Sequence, residues 1–95
     1  MQFEWDAKKD RANKSKHGVD FRTAARVFRD PGVVFVKDRT DVQGEQRWHA
    51  LGLAGSPEPL LVVVHVYREA KDGEEIIRII SARKASKSEG REYFQ

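Results

Sequence analysis

The sequence predicts an α+β domain: two helices near the N-terminus, a small antiparallel sheet arranged as a meander, and a short C-terminal helix. Three observations predict it. Aspartates precede two helix-compatible stretches within the first 30 residues. β-Branched and aliphatic runs then follow one another with only short polar segments between them. The last ten residues begin with a serine placed three positions before a glutamate.

The elements follow in order. Residues 2–5, QFEW, form a short strand. Asp6 can accept hydrogen bonds from the free N–H groups of a helix over Ala7 to Lys16, and Gly18, after His17, supplies the left-handed conformation that closes it. Asp20 caps a second helix from Phe21 to about Arg29, with Ala24, Ala25 and Phe28 near one face. Asp30-Pro31-Gly32 ends it, since proline cannot continue a helix. VVFVK (33–37) is a strand by its β-branched content, and polar DRTDVQGEQ is a loop leading into RWHALGL (47–53). AGSPEP turns the chain into LLVVVHVY (60–67), and EAKDGE turns it into IIRIISA (76–82). Connections this short favour antiparallel neighbours over βαβ crossovers. Ser86-x-x-Glu89 is a capping box, so a final short helix is expected despite Gly90.

Ninety-five residues make one domain, 1–95, with a core large enough to fold alone. The absence of Cys removes disulfide and thiol chemistry and suits a reducing cytoplasm. No apolar run is long enough to span a membrane, and the charged start MQFEWDAKKD is unlike a signal peptide. These features lead to the expectation of a soluble cytoplasmic protein with no membrane partner.

The net charge of +3 is unevenly spread. Residues 7–29 carry eight Lys/Arg against two acids and residues 76–95 five against two, whereas residues 30–75 carry five against nine. If folding joins the two basic ends, they form a positive surface suited to phosphate-rich ligands. The plainer reading is a solvated helix surface, and charge alone does not decide.

Strand alternation sorts the polar residues by face. Arg47, His49 and Leu51 share one face of their strand; His65 lies with Leu61, Val63 and Tyr67. Arg78 lies with Ile76 and Ile80, and Ser81 and Arg83 are expected to continue the face of Ile77 and Ile79. An arginine inside so apolar a strand either pairs internally or faces an anion, because a buried unpaired charge is costly.

FEWD followed by Asn13, KHGVDF at 16–21, the Phe28-x-Asp30-Pro31 stop, GEQR at 44–47, a Val-rich strand and RIISARKAS before Glu89 and Tyr93 together resemble the BrnT family of type II toxin–antitoxin toxins. The similarity runs from Phe3 to Tyr93. It implies a RelE-like fold, ribonuclease activity that arrests translation, and neutralisation by a BrnA-type antitoxin of ribbon-helix-helix fold that also binds operator DNA. Gly90 departs from the pattern, which more often has a basic residue there and so a more cationic last helix.

Cleaving RNA without metal or other cofactor uses the 2′-OH as nucleophile, so the protein must remove its proton, neutralise the phosphorane and protonate the leaving 5′-oxygen. Arginine suits the second task, since its planar fork matches two phosphate oxygens and stays charged. Histidine or glutamate suits the other two. The resemblance singles out Glu45, Arg47, Arg78 and Arg83 as catalytic positions. Face assignment alone adds His49 and His65, and Arg68 and Lys84 are expected to bind substrate. Which group is base and which acid stays open.

Each candidate also has a structural reading. Arg83 can answer a helix end or an acidic side chain; Arg78 can be a paired structural arginine; His65 suits a core; His17 suits a helix terminus; and Phe3 and Trp5 suit the interior. Asp38, Asp41 and Glu45 match no EF-hand spacing, so no metal site is expected. A non-catalytic nucleic-acid-binding module and an adaptor for an acidic protein remain alternatives, although no RNP motif or helix-turn-helix supports the first.

Overall fold

The computed structural model describes residues 1–55 and 59–95. The elements are β1 (Gln2–Glu4), α1 (Ala7–His17), α2 (Phe21–Ala25), a 3-10 turn (Arg26–Arg29), β2 (Val34–Thr40), β3 (Gln46–Leu53), β4 (Leu60–Glu69), β5 (Glu75–Lys84) and α3 (Lys87–Tyr93). The expected AGSPEP turn at 54–59 falls largely on residues 56–58, outside the described residues. Among the described residues no helix is long and apolar enough to cross a membrane.

The helix caps act as their local chemistry requires. Asp6 accepts the Lys9 N–H, Asp20 accepts the Thr23 N–H, and Gly18 closes α1 at φ 75°. Ser86 and Glu89 complete the capping box of α3. The second helix departs from expectation, because α-helical structure stops at Ala25 and the chain tightens into the 3-10 turn through Arg29. Pro31 disfavours helical geometry at Asp30, and a tightened last turn is a common way to end a helix. The turn also presses Val27 into β3 at Gly52, where a Cβ would stand 2.9 Å from Val27 Cγ1.

The sheet has the order β1-β5-β4-β3-β2. Strands β2 to β5 form the expected antiparallel meander, but β1 lies parallel to β5, with Glu4 opposite Arg78, so the sheet is mixed. Short turns impose antiparallel pairing only on the strands they join. Because β1 and β5 are separated by most of the chain, that constraint does not reach them.

Register defines two faces. The inner face, covered by α1, α2 and the 3-10 turn, packs Phe21, Ala24 and Val27 on Ala50, Leu61, Val63, Ile77, Ile79 and Ala82. Phe21 and Val27 are wholly buried, each worth about 1.5–3 kcal/mol of transfer free energy. In β5 the alternation breaks: Val64 faces Ser81 but His65 faces Ile79, leaving Ile80 as an extra, bulged residue. Ile77, Ile79 and Ala82 are therefore all buried inward, whereas Arg78, Ser81 and Arg83 share the outer face. Arg83 thus does not continue the face of Ile77 and Ile79, since one inserted residue inverts every side chain beyond it.

Helix α1 has Asn13 as its one buried residue, and that residue is polar. Its amide nitrogen donates to the Ala82 C=O and the Val19 C=O, each at 2.8 Å, and its oxygen accepts the Ala82 N–H at 3.1 Å. Strand β1 pairs β5 only as far as Arg78, so Asn13 supplies a partner that β5 lacks at Ala82. Nearby, Asp10 accepts the Phe21 N–H at 2.8 Å and joins α1 to the start of α2.

Replacing Asn13 with Ala strands three backbone groups in the interior and should destabilise the fold by about 3 kcal/mol. A thermal melt should fall by more than about 10 °C. Asn13→Asp, which keeps only the acceptor, should fail to restore it, and parental melting of either variant would contradict this account.

Candidate functional site

The outer face gathers most of the polar side chains of the sheet. Glu4, Arg78 and Val66 lie across from one another on β1, β5 and β4, and His49, Val64 and Ser81 form a second row on β3, β4 and β5. Leu51, Val62 and Arg83 form a third row, over which Ser88, Glu89 and Glu92 of α3 line a shared cleft with Val36 and His49. Arg47 and Arg68, on the same strand faces as His49 and Val66, complete the set.

Every one of the four outer-face arginines meets a carboxylate. Glu4 Oε2 accepts from Arg68 Nη1 at 2.8 Å and from Arg78 Nη1 at 3.0 Å. Arg78 is therefore neither in the core nor alone: it lines an outer face and shares one carboxylate with a second arginine. Arg47 Nε reaches Asp41 Oδ2 at 3.5 Å, a long contact that leaves its terminal nitrogens available. Asp41 mainly organises the β2–β3 turn, accepting the N–H groups of Gln43 and Glu45 at 3.0 Å. The Glu45 N–H bond heads the causes that hold its carboxyl below the usual aspartate value.

Arg83 is bound most completely. Its Nη1 and Nη2 donate to Glu89 Oε1 and Oε2 at 2.8 and 2.9 Å, a two-toothed pair. Glu89 also accepts the Ser86 N–H at 2.8 Å. Arg83 first, and Ser86 after it, outweigh partial burial and hold the Glu89 carboxyl at about 2. Arg83 thereby joins β5 to α3, as the structural reading of the sequence proposed.

The imidazole of His49 is oriented by a carboxylate, with Nε2 3.0 Å from Asp38 Oδ2. His49 stands on the outer face opposite Val36, and Asp38 meets it there from the irregular part of β2 between Lys37 and Thr40. The Asp38 carboxyl is lowered by the Arg39 N–H and then, against burial, by His49. Nδ1 is the nitrogen left for other work.

The remaining candidates lie in the core, in the turn that adjoins this face, or at a strand end. His65 is buried on the inner face as its strand alternation predicts, against Phe28 and Tyr67 at centroid distances of 4.8 and 5.0 Å. Its Nδ1 is 3.1 Å from the Val63 C=O, Nε2 has no hydrogen-bond partner among the described residues, and burial lowers its pKa. Glu45 is exposed in the β2–β3 turn, and Lys84 is exposed at the end of β5 opposite Leu61. The two basic ends do not merge into one surface. Helices α1 and α2 cover the inner face, whereas α3, with Lys87 and Arg91 balanced by Glu89 and Glu92, lies over the outer one.

Sequence reasoning missed Glu4 and weighed Asp38 only as a metal ligand. Alternation in QFEW does set Glu4 apart from Phe3 and Trp5, but nothing local pairs it with an arginine 74 positions away. A second hub, Asp30, accepts from the Gly32 N–H at 2.9 Å, the Leu53 N–H at 2.8 Å and the Tyr93 hydroxyl. Burial opposes its charge, yet these three donors lower its carboxyl, and Asp30 in turn pushes the Tyr93 phenol up to about 12.

A family model described as the ribonuclease toxin, BrnT, of type II toxin–antitoxin systems matches residues 5–89. No curated protein matches the chain.

The Arg83–Glu89 pair predicts a specific acid dependence. Glu89 takes a proton near 4.5 when unfolded but only near 2 when folded, so between those values the unfolded state binds the proton first. The pair's contribution is present above about 4.5 and is lost as pH falls toward 2. Glu89→Gln should flatten that part of the stability profile measured by urea unfolding; matching profiles for parent and variant would contradict the pairing.

Proposed function

This chain belongs to the BrnT family of ribonuclease toxins of type II toxin–antitoxin systems, and from that premise we propose that its outer sheet face cleaves RNA by metal-independent acid–base chemistry. The observation that carries the proposal is His49, oriented by Asp38 and standing two residues from Arg47 on the face that also holds Arg78. A proton-transfer group positioned by a carboxylate, beside guanidinium groups, is what phosphodiester transesterification needs.

In this reading the 2′-oxygen attacks the adjacent phosphorus as its proton passes to a base, a cyclic phosphate forms, and the P–O5′ bond breaks as the 5′-oxygen gains a proton. Arg47 and Arg78 lie on strands two apart, roughly 10 Å between backbones, a span that long side chains can close around one phosphate. Arg68 and Glu4 position Arg78. His49, through Nδ1, exchanges one of the two protons, and Glu45 in the adjoining turn is assigned the other. Arg83 is held by its two-toothed bond to Glu89, so its first role is to hold α3 beside the site. His65, within the core, and Lys84, at the strand end, are given no part in the bond-breaking step.

A type II toxin has a protein antitoxin as partner. We assign that partner to the BrnA type, a ribbon-helix-helix protein whose complex with the toxin binds operator DNA, and place the action on RNA in the cytoplasm. The overall arrangement is read as RelE-like.

With labelled RNA in EDTA, the parent protein should cleave. His49→Ala should lose about 10²–10⁴-fold in rate and Arg47→Ala or Arg78→Ala about 10²–10³-fold, with melting temperatures monitored in parallel. Parental rates in folded His49→Ala and Arg47→Ala proteins would remove this site, and RNA binding without cleavage by the parent would favour a non-catalytic module. The antitoxin should bind at moderate salt and suppress cleavage; binding that leaves cleavage intact would refute inhibition at this face.

A further inference from the structure

Among the described residues, a row of arginines without an ion-pair partner lies on the other side of the sheet. Arg22, Arg26 and Arg29 follow one another at i, i+4 and i+7 along α2 and the 3-10 turn, all exposed. They frame a cleft of about 310 Å³ whose floor is Phe3, Trp5 and Ala25. No carboxylate lies within 4.0 Å of any of the three among the described residues, in contrast to the four outer-face arginines. Like charges one turn apart weaken a helix; the N-cap Asp20 offsets Arg22 in part while it accepts the Thr23 N–H.

The cleft combines guanidinium forks with aromatic surface. Guanidinium groups spaced along one side of a helix can meet successive phosphates of a flexible strand, and that of Arg26 lies against Gly55. Trp5 is half-buried and meets Phe21 in a T-shaped rather than stacked arrangement, so ring surface remains for an unstacked base. An acidic peptide would satisfy the charges but would make less use of planar forks beside an aromatic floor. The cleft also adjoins the candidate site across the sheet edge. On β1, Phe3 points to the inner face and Glu4 to the outer, where it holds Arg78 and Arg68.

Resting on the ribonuclease reading above, we propose that Arg22, Arg26, Arg29 and Trp5 form a binding track for single-stranded RNA, which crosses the β1 edge from this cleft to the outer-face site. Because three carboxylates partly offset the four outer-face arginines, the track supplies much of the electrostatic attraction for the substrate.

The test uses a 2′-O-methyl oligonucleotide, which lacks the nucleophile, so that binding is measured apart from cleavage. Changing Arg22, Arg26 and Arg29 together to Gln should weaken binding at least tenfold and lower the salt-dependence slope by about 2, at roughly 0.7 per lost contact. Trp5→Leu should weaken binding without altering that slope. On cleavable RNA, the triple variant should raise KM for long substrates while leaving cleavage of a dinucleotide at the parental rate. A triple Lys variant should restore most of the salt slope and controls for folding. Parental affinity and slope in the folded Gln variant would overturn the proposal. Unchanged RNA affinity with a weakened antitoxin complex would overturn it too, by giving the cleft to a protein. If the parent binds the oligonucleotide through this cleft but cleaves no RNA, the ribonuclease reading fails while the track stands.

Discussion

A single side-chain amide closes the sheet where the backbone runs out of partners. Strand β1 is three residues long and leaves the rest of β5 facing the helices unpaired; Asn13 answers both polar groups of Ala82 and the Val19 carbonyl beside them. Buried backbone groups left unsatisfied cost more than a hydrogen bond gains, so this contact fixes where α1 sits. It also releases α1 from the usual requirement of an apolar stripe. The helix can carry Lys8, Lys9, Arg11, Lys14 and Lys16 because its attachment is polar and local.

With α1 anchored, the chemistry divides between the two sides of the sheet. The bulge at Ile80 keeps Ile77, Ile79 and Ala82 on the core side while turning Arg78 and Arg83 outward together. Outside, each arginine has a carboxylate that restrains it: Glu4 from the edge strand, Asp41 from a turn, Glu89 from the last helix. Restraint of this kind orients guanidinium groups before a substrate arrives, at the cost of local positive potential. The helix side has the opposite character, with high charge and few internal partners.

Asp30 keeps these parts in register. By accepting from its own turn, from the end of β3 and from Tyr93, it holds the 3-10 turn and α3 to the same end of β3. The Arg83–Glu89 pair fixes the other end of α3. The cover over the third row of the outer face is thus held at both ends by charge-assisted hydrogen bonds, although none of its residues is fully buried.

The sequence by itself determined what depends on near neighbours. Asp6, Gly18, Asp20 and the Ser86–Glu89 box act over three or four residues, so the ends of α1, the start of α2 and the start of α3 were legible, as were the hydrophobic strands and the family resemblance. Even the Arg83–Glu89 pair was foreshadowed, since its partners are six residues apart. Tertiary structure alone decided the parallel seat of β1, the face of Arg83 and the Glu4 partner of Arg78. The physical reason is that pairing register and bulges are properties of two strands at once. A one-residue bulge leaves the composition of β5 unchanged yet exchanges its faces, and only the partner strand records it.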